Sequence, residues 1–236
     1  MKKIVFSTLL LCLIIPNIFS QGNYGRVQNL VNADNKRYHF GFILGLNAMD
    51  FNVTNAGVVD NDGRIWYAEQ TSLSPGFTVG IISDLRIFEH LNLRFTPALS
   101  FGDRTLTFID EKKTEKQDVA VKTNVINFPL LLKLRGQRNA NYRPYLIGGV
   151  SSTLDLGRQR ENMIMLNQMD YGIEFGVGFD IYLPYFKLAP EFKMFLGFGD
   201  MLERDRPEIM NLSDLKYTNA IAKLTSRLFV LSFNFE

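Results

Sequence analysis

Two kinds of side chain alternate strictly along residues 170–181, which read DYGIEFGVGFDI. One set is apolar and largely aromatic, whereas the other consists of glycines and carboxylates. Successive side chains of a β-strand point to opposite faces of the sheet. The stretch therefore predicts a strand with one apolar wall and one narrow polar wall. This combination is typical of a strand that crosses an outer membrane as part of a closed barrel.

The same period of two recurs along the rest of the chain. It predicts eight strands, at residues 38–49, 73–85, 91–102, 121–135, 145–154, 170–181, 186–198 and 229–235. Pro129 and Pro190 fall inside two of them, and we expect bulges there because proline has no N–H for the ladder.

The predicted connections alternate between short and long. The short ones lie at 86–90, 136–144 and 183–185, and the long ones at 50–72, 103–120, 155–169 and 199–223. Outer-membrane barrels have short periplasmic turns and longer extracellular loops. The sequence thus predicts an all-β, eight-stranded antiparallel up-and-down transmembrane β-barrel with four longer extracellular loops and both termini in the periplasm.

The beginning of the chain has the features of an export signal. Lys2 and Lys3 precede an apolar run at 4–15, which is too short for a membrane-spanning helix. We expect residues 1–20 to be a cleaved signal peptide, 21–37 a periplasmic segment and 38–236 the barrel. Removing the signal would leave 24 basic and 24 acidic residues. This balance gives no electrostatic argument for binding nucleic acid.

A secreted β-sandwich or a lipocalin-like cup is the rival interpretation of the alternation. In such folds the apolar faces point inward and the polar faces meet water. Gly172, Gly176 and Gly178 argue against it, because glycine is a poor choice for a solvated strand face and suits a tight barrel interior.

Several blocks resemble a known family along nearly the whole mature chain. They read YHFGFILGLNAMDF (38–51), SLSPGFTVGIISDLRI (72–87), LNLRFTPALSFGDRTLTF (91–108), TNVINFPLLLKLRG (123–136), RPYLIGGV (143–150) and LFVLSFNFE (228–236). They are similar to the PorT (SprT) outer-membrane proteins of Bacteroidota, which are associated with type IX secretion and, in some species, gliding motility. The blocks INFPLLLK and PYLIGG are also found in broader Bacteroidota barrel families. The resemblance implies an outer-membrane barrel without catalytic residues.

The residues give no support for an enzyme, a cofactor or a metal ion. The two histidines, His39 and His90, fall at a strand end and in a short turn, away from the long loops where substrate would arrive. Residues 60–63, DNDG, resemble the start of a calcium loop but lack the spaced ligands and the closing glutamate. The charged runs 110–118 and 200–208 are predicted to be exposed loops that could dock a partner.

Two sets of side chains are assigned to the two walls of the barrel. Charges on the polar faces should pair with one another and plug the lumen, because an eight-stranded barrel is only wide enough for its own side chains; a gated proton or small-solute path is the alternative. The predicted lumen charge network is Arg94, Lys133, Glu174, Asp180, Glu191 and Lys193. The predicted lipid-facing residues are Phe40, Phe42, Phe95, Phe175, Phe179, Phe192, Phe229 and Phe233.

The functional expectation is a non-enzymatic outer-membrane component or assembly factor of type IX protein secretion. Its expected partners are the lipid bilayer of the outer membrane and other secretion-system proteins. The alternatives are an OmpX-like or OmpA-like barrel, either structural or ligand-binding, and a small channel.

Overall fold

The computed structural model describes residues 27–59, 64–111, 116–157, 164–204 and 215–236, without the side chains at 70–73, 120–121 and 215–216. The expected signal peptide at 1–20 lies outside these residues. The strands are β1 Tyr38–Asn55, β2 Trp66–Leu73, β3 Pro75–Arg86, β4 Leu91–Phe95, β5 Ala98–Asp110, β6 Lys116–Arg135, β7 Tyr142–Asp155, β8 Met169–Tyr182, β9 Lys187–Gly197 and β10 Ile221–Phe235. A 3-10 turn spans Ala33–Asn35, and one helix, α1, spans Leu215–Asn219. No helix in the described part of the chain is long and apolar enough to cross a membrane.

The ten strand segments form eight barrel strands. β2 and β3 are separated only by Ser74 and pair with the same neighbour, β5. β4 and β5 are separated by Thr96 and Pro97, and both lie between β3 and β6. All pairings are antiparallel, and apart from the closing pair of β1 with β10 they join barrel strands that are neighbours in the chain. This confirms the predicted antiparallel up-and-down barrel.

β1 closes the sheet, because it pairs with β10 on one side and with β3 on the other. Its ladder with β3 runs from Tyr38 to Ala48, whereas its ladder with β10 continues to Asn55. Beyond Ala48, the side chain of Asn55 on β1 reaches across to β2, where it accepts a hydrogen bond from the Ala68 N–H at 2.8 Å. Closure is therefore complete at the end with the short turns, here called the turn end, and looser at the opposite loop end.

The alternation of burial explains why these segments are strands. Along β8, Asp170, Gly172, Glu174 and Asp180 face the interior, and the aromatic and aliphatic residues between them are exposed on the outside. The other strands repeat this pattern over most of their length. The outward apolar side chains form a continuous band around the barrel, here called the outer band.

Two prolines lie in strands without the predicted bulges. At Pro190 the β8–β9 register passes from Gly178↔Glu191 to Ile181↔Leu188 without a shift. At Pro129 the β6 register is also kept on both sides of the gap between β4 and β5. The prediction of bulges was wrong. A proline can leave one hydrogen bond of the ladder unmade without shifting the register of its strand.

Five strands extend several residues further towards the loop end than predicted. β1 continues to Asn55, β2 begins at Trp66, β5 ends at Asp110, β6 begins at Lys116 and β10 begins at Ile221. The first two loop-end connections therefore shrink to 56–65 and 111–115. The second is shorter than the turn-end connection 136–141, so the predicted alternation of short and long connections does not hold there. The extensions escaped prediction because their pattern is inverted: outward positions of β1 become Asp50 and Asn52, while inward ones become Met49 and Phe51.

The inverted segments enclose a separate apolar core, here called the loop-end tier. It combines strand residues with side chains from the two longest loop-end connections. Its members are Phe51, Trp66, Ala68, Leu106, Phe108, Val119, Ile164, Leu166, Met201, Leu202, Tyr217, Ala220, Ile221 and Leu224. Under the outer band the interior is mostly polar but contains two smaller apolar clusters. They are Met49, Val125, Phe195, Leu228 and Val230, and Leu131, Tyr145, Ile147 and Ala189. Above the band, apolar side chains pack inside, as in a water-soluble protein.

Candidate functional site

Arg94 is the centre of the lumen charges. It projects inward from β4 and is fully buried. Its three guanidinium nitrogens donate to three different carboxylates: Nε to Asp84 at 2.8 Å, Nη1 to Glu191 at 3.2 Å and Nη2 to Glu236 at 2.7 Å. Planar guanidinium groups suit such multiple pairing, and a buried charge needs it to offset the loss of water.

Three lysines complete the lumen network around Arg94. Lys133 pairs with Asp180 at 2.9 Å, and its ammonium group lies 3.8 Å from the ring centre of Tyr145. Lys187 pairs with Glu236, and Lys193 pairs with Glu174 at 3.1 Å. The Tyr145 hydroxyl donates to Glu191 at 2.7 Å. Every cation of the network thus has a carboxylate partner.

The six charges predicted from sequence, Arg94, Lys133, Glu174, Asp180, Glu191 and Lys193, all lie inside the barrel and belong to this network. Sequence reasoning missed Asp84, Lys187, Tyr145 and Glu236 as members. The alternation of inward and outward positions could have identified Glu236, because it continues the inward positions of Ser232 and Asn234.

Neutral polar groups fill the level above the charges. The Asn47 amide donates to the Thr78 hydroxyl at 2.8 Å, and the Thr78 and Ser100 hydroxyls are 2.9 Å apart. The Asn127 amide donates to Ser100 at 3.0 Å. A cavity of about 10 Å³ beside these residues has room for roughly one water molecule.

Arg104 separates the polar interior from the loop-end tier. Its guanidinium group lies over the Phe51 ring, 4.3 Å from the centre, and donates to the Ser226 hydroxyl at 3.0 Å. Above it, the ring of Tyr217 packs against Trp66 and Phe108, with centre distances of 5.4 and 4.9 Å. The loop end is therefore closed by apolar packing.

The turn end is closed by residues 27–37, here called the strap. The strap's Asp34 accepts hydrogen bonds from three arginines, Arg135, Arg138 and Arg143, at 3.2, 3.1 and 3.0 Å. The Tyr182 hydroxyl donates to the same carboxylate at 2.7 Å. Burial alone would raise the pKa of Asp34, but the Tyr182 hydrogen bond and the three positive charges outweigh it and lower the pKa.

Both histidines lie at the turn end, as the sequence predicts. His39 Nε2 is 2.8 Å from the Ala33 carbonyl, and His90 Nδ1 is 3.1 Å from the Arg135 carbonyl. Neither is joined to a serine or a carboxylate by these contacts. Among the described residues, no group of three or more His, Cys, Asp or Glu side chains is placed to hold a metal ion. The calcium-like residues 60–63 lie outside the described residues.

The two charged runs are only partly described. Asp110 is buried at the end of β5, so the run 110–118 is not wholly an exposed loop, and residues 112–115 lie outside the description. In the run 200–208, Asp200 pairs with Arg204 at 2.6 Å and accepts the Leu224 N–H at 3.1 Å. Asp200 therefore ties its loop to β10, while residues 205–208 are not described.

The eight aromatic residues predicted to face lipid lie on the outward face. Seven are at least 40% exposed: Phe40, Phe42, Phe95, Phe175, Phe179, Phe192 and Phe233. Phe229 is half-buried but alternates with the inward residues Leu228 and Val230. The phenylalanines form part of the outer band.

A family model described as "Outer membrane protein beta-barrel domain" matches residues 19–203. No curated protein matches the chain. Among solved structures, OprG of Pseudomonas aeruginosa is similar at 14% identity, with a TM-score of 0.46, over 83% of this chain and 94% of OprG.

Two further solved structures are more distant in shape. The N-terminal β-barrel domain of P. aeruginosa OprF has 13% identity and a TM-score of 0.30, covering 81% of this chain and 96% of that one. Ail, the attachment invasion locus protein of Yersinia pestis, has 8% identity and a TM-score of 0.35, covering 85% and 98%.

Proposed function

Because this chain belongs to the outer membrane protein beta-barrel domain family, we propose that it is a sealed, non-enzymatic outer-membrane component or assembly factor of type IX protein secretion. The type IX assignment rests on the resemblance of the sequence blocks to the PorT family. The apolar side chains of the outer band support the lipid bilayer as one partner. The closed sheet supports it as well, because strands that span lipid must form a closed barrel.

The observation that carries this proposal is the filled interior. Lumen charges centred on Arg94, the hydrogen-bonded level at Asn47 and Thr78, and the loop-end tier occupy successive levels of the barrel. A protein of this kind acts through the surfaces that it presents at its two ends. A component of a multi-protein machine needs such surfaces, whereas a channel needs a continuous passage.

We propose that the turn end lies in the periplasm and the loop end outside the cell. Short turns on the periplasmic side and longer connections on the external side are the usual arrangement of these barrels. The connections at 156–168 and 198–220 are the longest and lie at the loop end. Both termini would then be periplasmic, and the strap would meet periplasmic partners.

A second candidate function is that of an OmpX-like or OmpA-like barrel, either structural or binding an external ligand. The loop-end tier favours this alternative, because it holds parts of two loops in place above the outer band. The bridge between Leu166 and Leu202 joins these two loops directly. An ordered external surface of this kind suits adhesion or ligand binding.

Partner capture and a secretion assay distinguish the two candidates. The chain would be cross-linked in native membranes and purified, and its partners identified, while export of type IX cargo is measured in a deletion strain. Recovery of secretion components together with loss of export supports the first candidate. Normal export in the deletion strain contradicts it and leaves the structural or ligand-binding barrel.

A further inference from the structure

Three guanidinium groups converge at one point of the turn end, here called the arginine site. Arg135 ends β6, Arg138 lies in the following turn, and Arg143 is on β7. The tight β6–β7 connection brings the three together although they lie on different elements. All three donate to the single carboxylate of Asp34, at distances of 3.0 to 3.2 Å.

The barrel itself holds these arginines in position. Arg143 donates through Nε to the Gly136 carbonyl at 2.8 Å. Arg135 and Arg143 both donate through Nη2 to the Glu89 carbonyl, at 3.1 and 3.2 Å. Arg138 donates to the Ala140 carbonyl at 2.9 Å and stacks on the Tyr182 ring at 3.6 Å. Arg135 and Arg143 are thus preorganised by contacts that do not involve the strap, whereas Arg138 also donates to the Asn29 and Leu30 carbonyls of the strap.

The arginine site has more binding capacity than the strap uses. One carboxylate faces three guanidinium groups, and the buried Nε of Arg135 has no hydrogen-bond partner. A surface groove of about 470 Å³ beside the strap is lined by the strap's own Arg37 and by Arg86, which donates to the backbone carbonyl of Asp34. Guanidinium groups bind carboxylates through paired, charge-assisted hydrogen bonds. The surplus charge therefore suits a ligand with more than one acidic group.

The strap is held mostly by polar contacts. Its 3-10 turn has no buried residue, and no strap residue belongs to the loop-end tier or to the two smaller apolar clusters. Besides the contacts of the Asp34 side chain, the Asn29 N–H donates to the Asn141 side chain at 2.9 Å and the Asn29 amide donates to the Tyr182 carbonyl at 3.0 Å. Backbone carbonyls of the strap also accept hydrogen bonds from Arg86, Arg138 and Asn141. Segments with little apolar burial open at low free energy.

We propose that the arginine site binds an acidic peptide segment of a partner protein, and that Asp34 is an exchangeable occupant which competes with it. The guanidinium groups supply the recognition, and Asp34 of the strap occupies them when no partner is present. The proposed function enters only in the identity of the partner, which would be a periplasmic secretion protein. Peptide binding at the arginine site can be tested without any secretion component, so its failure and the failure of the proposed function are distinguishable.

Peptide binding to the full mature chain in lipid nanodiscs tests the proposal. The probe is a fluorescein-labelled hexa-aspartate peptide, and binding is followed by fluorescence anisotropy. We expect Asp34→Asn to bind the probe roughly tenfold more tightly than the wild type, because fewer sites remain occupied by the strap. Adding Arg143→Gln to Asp34→Asn should abolish the gain.

Two controls separate this site from general charge. Arg227→Gln removes a cation on the outward face, beside Asp50 at 3.8 Å, and should leave probe binding of the Asp34→Asn variant unchanged. Heat-modifiable migration on gels verifies that each variant is folded. Equal probe affinity of wild type and Asp34→Asn would overturn the proposal. So would a gain in affinity that survives the addition of Arg143→Gln, or probe binding only through anionic lipid in the nanodisc.

Discussion

At the scale of single residues, the buried charges of the lumen network are placed so that each nitrogen of a cation meets a particular carboxylate. Arg94 divides its nitrogens among Asp84, Glu191 and Glu236, all of which are at most 2% exposed. Each contact alone is an ordinary ion pair. Together they allow charges to exist in an interior from which water is largely excluded, provided that no partner is removed.

Removing Arg94 should be strongly destabilising. Arg94→Gln would leave three buried carboxylates short of a cation, and we expect a loss of about 3–5 kcal/mol in the free energy of unfolding. Arg227→Gln is the matched control, since its pair with Asp50 is 35% exposed on the arginine side and should contribute at most about 1 kcal/mol. Urea titration in lipid measures both. Similar midpoints for the two variants would contradict the central role of Arg94.

Strap docking should depend on pH through Asp34. Its pKa is lowered in the folded protein, since the Tyr182 hydrogen bond and the three arginines outweigh burial. The stabilisation is complete above the ordinary carboxyl pKa of about 3.9 and is lost as the pH falls through the lowered value. A spin label at Gln28→Cys should become mobile in that acidic range. With Asp34→Asn it should be mobile at every pH; an immobile label there would refute the dependence.

At the scale of elements, the sequence predicts the strands well and their ends poorly. A period of two located all eight barrel strands, because the outer band requires apolar residues at every second position. The extension of β1 beyond Met49 escaped prediction because Asp50 and Asn52 face outward there. The strap has no periodicity, and Asp34 meets Arg135 across 101 positions of the chain. Contacts of that kind leave no local pattern.

The outer band predicts where a charge is tolerated. Phe175→Arg places a guanidinium group on the apolar exterior of β8 and should destabilise the barrel by about 2–4 kcal/mol near the bilayer midplane. Asn52→Arg is an outward substitution on the β1 extension, above the band, and should change stability by about 1 kcal/mol or less. Refolding into lipid vesicles under denaturant measures the difference. Equal effects would mean that the two positions share one environment.

The loop-end tier should open without unfolding the barrel. Tyr217→Ala removes a ring that packs against Trp66 and Phe108, and losses of buried aromatic rings cost about 3–5 kcal/mol. We expect faster hydrogen exchange in α1 and in residues 201–204, with β8 and β9 amides unchanged. Tyr185→Ala, at a side chain that is 92% exposed, is the control. Uniformly faster exchange would show that the tier and the barrel form one cooperative unit.

At the scale of the whole molecule, two opposite packing schemes share one continuous sheet. Beneath the level of Asp50 and Arg227 the outside is apolar and the inside mostly polar, and above that level apolar side chains pack inside. A membrane fixes the depth of the first part, so the second part stands in water. The chain therefore joins a membrane anchor to a small water-soluble β-structure without a linker.

A filled interior predicts an electrically silent protein. Reconstituted in planar bilayers, the wild type should show no steady conductance at neutral pH, because side chains occupy each described level of the lumen. A variant lacking residues 27–37 should also remain silent, since the lumen network lies above the strap and does not depend on it. Large stable currents from the wild type would contradict the sealed interior. Currents from the variant alone would make the strap the seal.

The contacts of Glu236 influence the register in which β10 pairs with its neighbours. A slip of β10 by two residues would keep every side chain on its correct wall, so the alternation of faces cannot reject that error. The slip would nevertheless move Glu236 by about 7 Å along the strand. Its contacts with Arg94 and Lys187 would both be lost, leaving those cations short of an acid. The final residue thus distinguishes the correct alignment of the closing strand from its nearest plausible misalignment.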